Sequence, residues 1–161
     1  MSATHSVDRS LDAKTAFGFG LALLAVGNAH RASNDRALKQ IGSSRSVAWP
    51  LILIGRHEGR LHQNTLASLL GCDSAALGRV IDKLLAAGLV VRRADPRDRR
   101  VWVLALTERG RAHCDALEAH LCSVYQEMLR PLGRGEIEAA SQVLSVLARS
   151  LENPGASAQA G

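Results

Sequence analysis

The residues best suited to chemistry are seven arginines within twenty positions, from Arg92 to Arg111. The chain has 17 arginines and 3 lysines, so this short stretch carries much of its positive charge. A guanidinium donates paired hydrogen bonds to phosphates and to guanine edges, and cations gathered on one surface release the counterions of a nucleic acid. A codon bias toward arginine would raise the net charge of +5 without clustering. The clustering therefore predicts duplex DNA as the partner.

The elements that must position these arginines are predicted to form a β-hairpin. The runs Leu89 to Arg93 and Val101 to Leu106 are rich in β-favouring residues, and the polar segment from Ala94 to Asp98 between them is typical of a turn. The arginines then lie on the hairpin and just after it.

Two short helices are predicted before the hairpin, joined by a tight turn at Gly71. The first runs from His62 to Leu70, and the second is capped by Asp73 or Ser74 and continues through Ala87. In the second helix one face is predicted to be buried and the other to be free for a partner. The predicted buried positions are Leu77, Ile81, Leu84 and Leu85, and the predicted outer positions are Ala75, Arg79, Asp82 and Ala86.

Longer helices are predicted on both sides of this region. A long helix covers Leu11 to Lys39, with its stretch Phe17 to Val26 as a core helix, and a short helix covers Val47 to His57 with Pro50 in its first turn. Two further helices are predicted at Glu108 to Leu129 and at Gly135 to Leu151, the last with core positions Ile137, Val143, Leu144 and Leu147. The sequence thus predicts a mostly α fold with a small β-hairpin, with flexible ends at residues 1–10 and 152–161.

The segment from Gly88 to Arg100, GLVVRRADPRDRR, and the segment LTERG from Leu106 to Gly110 resemble the wing and its exit in the MarR (multiple antibiotic resistance regulator) family, including its SlyA-like branch. The order of elements agrees over Leu11 to Leu151. The resemblance implies a winged helix-turn-helix lobe at 46–106 and a helical dimerisation region at 11–40 and 107–151 in one MarR-like unit, 11–151. It also implies a homodimer that binds a pseudo-palindromic DNA operator as a transcriptional regulator. The three cysteines suggest no disulfide framework, which predicts a reducing, cytoplasmic location.

The resemblance implies that the second helix of the pair enters the major groove, with Arg79 as the leading base contact. In the wing, Asp98 would hold Arg100 for the minor groove, although the two residues also suit a purely structural role in the turn. Many family members have Ser or Thr where this chain has Ala75, Ala76 and Gly78, so the operator sequence does not transfer. The predicted DNA-binding residues are Gln63, Ser74, Ala75, Gly78, Arg79, Lys83, Arg93, Arg97, Asp98, Arg99 and Arg100.

The resemblance further implies repression that is relieved by a small aromatic or anionic effector, often phenolic. Trp49 lies where several relatives also have Trp, and Arg31, Arg45 and His57 offer charge to a bound anion. The alternative is that Trp49 fills core space and that His57 is exposed at a helix end.

The sequence offers little support for a metal site, a catalytic site or a cofactor site. Cys72, Cys114 and Cys122 lack the spacing of a zinc site and are predicted to be small structural residues, although some relatives respond to cysteine oxidation. No catalytic motif, cofactor motif, metal site or membrane-length apolar run is evident, so no enzyme and no cofactor are predicted. The remaining alternative is a winged-helix module that binds proteins instead of DNA.

Overall fold

The computed structural model describes residues 11–58, 60–95 and 97–152. The predicted flexible ends, residues 1–10 and all but the first residue of 152–161, lie outside the described residues. The described residues form six helices and one two-stranded antiparallel sheet, which confirms the predicted fold class. In chain order the elements are α1 (Ala13–Gln40), α2 (Arg45–Arg56), α3 (Gln63–Leu70), α4 (Ser74–Ala86), β1 (Val90–Ala94), β2 (Trp102–Leu106), α5 (Glu108–Leu129) and α6 (Arg134–Glu152). In this part of the chain no helix has both the length and the apolar character needed to cross a membrane.

The chain divides into two compact units, one ending at Leu121 and the other beginning at Cys122. The first unit holds α1 to α4, the hairpin and most of α5. Its core is aliphatic, and its large side chains are almost completely buried. The largest fully buried side chains are Leu38, Leu51, Ile54, Leu61, Leu66, Ile81, Leu117, Val90 and Val103.

Helix α1 differs from the sequence prediction in what it buries. It begins at an Asp12 cap whose carboxylate accepts hydrogen bonds from Thr15 and Lys14, and these bonds lower the pKa of Asp12. Its buried residues are confined to its C-terminal third, at Asn34, Ala37 and Leu38. The prediction of a core helix at 17–26 is therefore wrong for the single chain as far as it is described, because no described residue of the first unit covers the apolar side chains there.

Helix α2 begins two residues earlier than predicted, at Arg45. Pro50 is therefore inside the helix and not in its first turn, which corrects the sequence prediction. Because Pro50 has no N–H group, the carbonyl of Ser46 loses the hydrogen bond that it would otherwise accept within the helix. The Pro50 ring is buried, and its packing helps to offset that loss.

The turn between α3 and α4 follows the prediction closely. Gly71 ends α3 with a φ of 59°, a left-handed conformation that favours glycine. Asp73 caps α4, and its carboxylate accepts hydrogen bonds of 2.9 Å from the backbone amides of Ala75 and Ala76. The end of α3 at Gly71 and the start of α4 at Asp73 are therefore both fixed, and together they set the direction of α4.

The buried face of α4 agrees with the prediction at most positions. Leu77, Ile81 and Leu84 are buried, whereas Leu85 is only half-buried. All four residues predicted for the outer face are exposed.

The hairpin is attached on both sides. In its register Val90 lies opposite Leu106 and Ala94 lies opposite Trp102. The amide of Leu104 donates a 2.9 Å hydrogen bond to the carbonyl of Leu61, which adds a short bridge from the segment before α3.

At the other side of the hairpin, the Thr107 hydroxyl donates a 2.7 Å hydrogen bond to the carbonyl of Gly88. The same oxygen accepts a bond from the amide of Gly110. The base of the hairpin is therefore fixed to α5.

The second unit holds the end of α5 and all of α6. Ile137 and Leu147 are half-buried, but Val143 and Leu144 are about half-exposed, so the predicted core positions on α6 are only partly covered. The helix that the apolar pattern predicts is present as α6. The part of this unit that the structure describes, up to residue 152, has no element that covers the remaining side chains of α6.

Candidate nucleic-acid interface

The exposed face of α4 is the first part of the candidate interface. Ser74, Ala75, Arg79 and Lys83 are exposed along it. Within the described ranges the side chains of Arg79 and Lys83 have no ion-pair partner, so both cations are free to meet an anion.

Gly78 and Gln63 meet at the junction of α3 and α4. Both residues are half-buried, and a Cβ atom on Gly78 would lie 3.5 Å from Nε2 of Gln63, an ordinary contact. Gln63 is the first residue of α3. The structure therefore brings Gln63 next to α4, the helix that carries five of the other predicted contacts.

The tip of the hairpin is built by two aspartates that accept hydrogen bonds from backbone amides. Asp95 Oδ1 accepts one from the amide of Arg97 at 2.7 Å, and Asp98 Oδ1 accepts one from the amide of Arg100 at 3.0 Å. Asp98 Oδ1 also lies 3.4 Å from Nε of Arg100. One oxygen thus shapes the turn and lies beside the guanidinium, so this geometry is compatible with both of the roles that the sequence left open.

The tip leaves its cations open to solvent. The Arg100 side chain is 92% exposed, and Arg97 and Arg99 are also exposed. An exposed ion pair such as Asp98 with Arg100 contributes only about 0 to 1 kcal/mol to stability. If substitution of Arg100 weakened DNA binding strongly, the loss of this ion pair's contribution to stability would therefore not be the cause.

A contact that the sequence did not reveal holds the base of this turn. His62 Nδ1 lies 3.3 Å from the carbonyl oxygen of Trp102, and His62 Nε2 lies 3.5 Å from Oδ2 of Asp95. The imidazole therefore links the two ends of the wing turn to the start of α3. No local pattern could have found it, because His62 and its partners are far apart in the chain.

The structure divides the seven clustered arginines among several places. Arg92 Nη2 lies 3.5 Å from Oδ1 of Asp82 on α4, and Arg109 Nη1 donates a 3.2 Å hydrogen bond to the carbonyl of Ala87 at the end of α4. A cation at a helix C-terminus is a stabilising arrangement, so Arg109 has a structural role. Arg93 and Arg111 line a cavity on the other side of the hairpin.

The division has a simple physical reason. Successive side chains of a strand point to opposite faces, so Arg92 and Arg93 cannot share one surface. The expectation that the whole cluster forms one basic surface is wrong. All seven arginines are exposed, but the tip arginines, which follow the strand, are not tied to α4 and do not line the cavity that Arg93 and Arg111 line.

The structure also separates the four residues that were predicted to bind an effector. Trp49 and Arg45 line a cavity of about 330 Å³ that is formed by residues of α2, α3 and α4 and by Cys72. Arg31 and His57 do not line it; Arg31 is exposed on α1, and His57 is exposed at the end of α2. Trp49 is half-buried at this cavity.

The cysteines differ from one another. Cys114 is buried, and its burial, together with the charges of Glu118 and Asp115, raises its pKa to about 11. Cys72 and Cys122 are exposed, so the burial that is typical of a small structural cysteine is found at Cys114 but not at these two.

Comparison with known proteins identifies the family. The model of the MarR family matches residues 43–101 of this chain. The HTH-type transcriptional repressor NicR of Pseudomonas putida is 31% identical over 110 residues, which cover 68% of this chain and 70% of NicR. An HTH-type transcriptional regulator of Bacillus subtilis, YdgJ, is 27% identical over 103 residues, and the chain spans 63% of its length.

Solved structures agree with this assignment. The transcriptional regulator PA3341 is 32% identical with a TM-score of 0.76, and the match covers 84% of this chain and 98% of that one. The Mycobacterium tuberculosis MarR family protein Rv2887, solved in complex with p-aminosalicylic acid, is 26% identical with a TM-score of 0.65 and coverages of 80% and 97%. The chain belongs to the MarR family of winged helix-turn-helix transcriptional regulators.

Proposed function

We propose that the protein is a sequence-specific transcriptional regulator that binds duplex DNA as a homodimer. The observation that carries this proposal is the wing tip, where Asp98 orients the solvent-exposed guanidinium of Arg100. A positively charged side chain that projects freely from a narrow hairpin suits the minor groove, whose negative potential attracts arginine. Arg97 and Arg99 would then bind the flanking phosphates.

Helix α4 supplies the major-groove contacts in this proposal. Arg79 is exposed on its outer face and is the side chain best suited to a guanine edge. Ala75 and Gly78 have little side chain, so the DNA can approach the helix closely there. Ser74, Lys83 and Gln63 would contact phosphates at the rim, and these contacts position the helix more than they read sequence. Arg93, which faces away from α4, is the weakest member of the predicted set.

A homodimer is supported by apolar side chains that a single chain leaves open. On α1, Phe17 is 70% exposed and Leu24 is 61% exposed. Large side chains are costly to leave in water at about 25 cal/mol per Å², and monomers rarely expose them side by side. Two copies related by a two-fold axis would present two reading lobes to a pseudo-palindromic operator.

Repression relieved by an effector is the finer part of the proposal. NicR is named as a repressor, and Rv2887 was solved with p-aminosalicylic acid, an aromatic anion. In this chain the cavity at Trp49 and Arg45 has the matching chemistry, an indole beside a guanidinium.

The wing is tested with an operator selected from fragments of the genome that encodes the chain. We expect Arg100→Ala to weaken binding about tenfold or more in a gel-shift titration, because one such contact contributes roughly 1 to 3 kcal/mol. Arg134→Ala is the matched control, since Arg134 is also 92% exposed beside a carboxylate, that of Glu138. Equal affinities of the two variants would remove the wing from the interface.

A protein-binding winged-helix module gives a different result in a second measurement. DNA binding by clustered cations requires that retention on heparin and operator affinity both fall steeply as salt is added. A module that binds proteins would select no operator and would show no footprint. Failure to select an operator, or the absence of a footprint on it, would overturn the proposed function.

A further inference from the structure

The wing turn, which runs from Asp95 to Trp102, is tied to the rest of the first unit by the side chain of His62. Inside the turn, the amide of Asp95 donates a 2.8 Å hydrogen bond to the carbonyl of Val101, and Asp95 Oδ1 accepts one from the amide of Arg97. In the part of the chain that the structure describes, no other side chain from outside the hairpin is hydrogen-bonded or ion-paired to the turn. The position of His62 therefore allows it to set the orientation of the turn relative to α3.

Both ring nitrogens of His62 face oxygen atoms that can only accept hydrogen bonds. Nδ1 lies 3.3 Å from the carbonyl oxygen of Trp102, and Nε2 lies 3.5 Å from Oδ2 of the Asp95 carboxylate. A neutral imidazole carries one N–H group, so it can donate to only one of these oxygens, and the lone pair of its other nitrogen then faces the second oxygen. An imidazolium carries two N–H groups. Both contacts are therefore satisfied together only in the charged form.

Asp95 is the charged group that faces the ring from the hairpin. Its side chain is 17% exposed and that of His62 is 40% exposed, so water screens this pair less than it screens a fully open surface pair. The two regular elements beside the ring, α3 and β2, contain no charged residue.

Charged side chains on the neighbouring segments have partners of their own. Before α3, Arg60 pairs with Glu58 at 2.7 Å and lines the cavity behind the hairpin. On β1, Arg92 lies 3.5 Å from the carboxylate of Asp82 on α4. Asp95 is therefore the carboxylate that pairs with the imidazole.

We propose that His62 is a positioning residue of the wing, and that its imidazolium holds the wing turn in the orientation in which the tip arginines meet DNA. This inference rests on the proposed function and adds a dependence of operator binding on protonation. When the imidazolium releases one proton to solvent, one N–H group is lost and the ion pair with Asp95 ends. Operator affinity should therefore fall as the pH rises through the range of about 5 to 8, in which histidine side chains change charge.

The first measurement needs no DNA. In NMR spectra of the full chain, the backbone amide signals of Arg97 and Arg99 are followed with the ring signals of His62 as the pH is raised. We expect the amides and the ring to shift with one midpoint, because the Asp95 carboxylate links the imidazole to the amide of Arg97. In His62→Gln, which is neutral and of similar length, this transition of the amides should disappear. Amide signals that do not follow the ring would overturn the proposal.

The second measurement is operator affinity by fluorescence anisotropy at constant ionic strength, at about pH 5.5 and at about pH 8. Over this range we expect the unsubstituted protein to lose about fivefold more affinity than His62→Gln or Asp95→Asn. Asp95→Asn removes the charge but keeps an oxygen for the amide of Arg97. His113→Gln removes an exposed histidine of α5 and is the matched control, which should keep the full pH dependence.

The two measurements separate the possible failures. Circular dichroism at both pH values checks that the variants stay folded. An equal pH dependence of operator affinity in the unsubstituted protein and in His62→Gln would contradict the proposal, however tightly the operator is bound. If no operator is bound at any pH, the proposed function fails and with it the role of His62 in DNA binding, whereas the amide signals still show whether His62 holds the turn.

Discussion

At the scale of single residues, the fluorescence of Trp49 can be measured to test the effector proposal. Its indole is half-buried at the cavity that Arg45 also lines. In a Trp102→Phe background, where Trp49 is the only tryptophan, we expect salicylate to quench the fluorescence saturably. Arg45→Gln should weaken that binding about tenfold, because it removes the charged partner of the carboxylate.

The control for this titration is Arg36→Gln, since Arg36 is exposed and does not line the cavity. The Arg45 side chain also pairs with Asp35 at 3.2 Å, but that exposed pair contributes only about 0 to 1 kcal/mol to stability. Unquenched Trp49 fluorescence, together with unchanged operator affinity in salicylate, would argue against an effector at this cavity.

Residue pairs were predictable from the sequence where the chain itself sets their distance. Asp98 and Arg100 are two positions apart, so the turn alone brings them together. His62 and Asp95 meet only because the hairpin folds back onto the start of α3, and neither residue belongs to a pattern that predicts this contact. The same limit explains why the convergence of Arg60, Arg93 and Arg111 was missed.

At the scale of elements, Gly110 controls how closely α5 approaches the hairpin. A Cβ atom at this position would overlap the backbone carbonyl of Leu89, which cannot move independently of the base of β1. We expect Gly110→Ala to lower the free energy of unfolding by about 3 kcal/mol, because overpacking against rigid backbone outweighs the gain in helix propensity. Urea unfolding followed by circular dichroism measures the change.

Gly135→Ala is the matched control in α6. No atom lies within 4 Å of the position that its Cβ would occupy, so the substitution should raise stability by up to about 1 kcal/mol. Both variants are compared at one protein concentration, because association also affects apparent stability. If Gly110→Ala proved as stable as the unsubstituted chain, the close approach of α5 would be disproved.

Most element boundaries were predictable because short signals determine them. Asp73 and Gly71 set the ends of α4 and α3, and the predicted range of α5 coincides with the observed one, Glu108–Leu129. Helix α2 was misjudged at its start because Pro50 suggested a first turn, whereas burial of its ring is compatible with a position inside the helix. The position of Pro50 in α2 therefore follows from tertiary packing and not from the local preference of proline for a first turn.

At the scale of the whole molecule, the sequence predicts the long helix α1 but does not predict what covers its apolar side chains. Helical periodicity identifies an apolar face and is silent on whether the same chain or a second copy covers it. Phe17, Leu21 and Leu24 lie on one side of the helix, and Phe19, Leu23 and Val26 lie on the opposite side. A helix that is apolar on two sides is normally buried, which is the arrangement that interlocked subunits provide.

The homodimer can therefore be tested through α1. We expect the unsubstituted protein to sediment at twice the mass of one chain and Leu24→Glu to shift toward the single-chain mass, because a charge would be buried without a partner at the interface. Leu69→Glu is the matched control, since Leu69 is 50% exposed on α3 and should leave the mass unchanged. Operator affinity should fall with Leu24→Glu, since a monomer engages only one half-site. A single-chain mass for the unsubstituted protein at micromolar concentration would refute the dimer and leave α1 without an explanation for its two apolar sides.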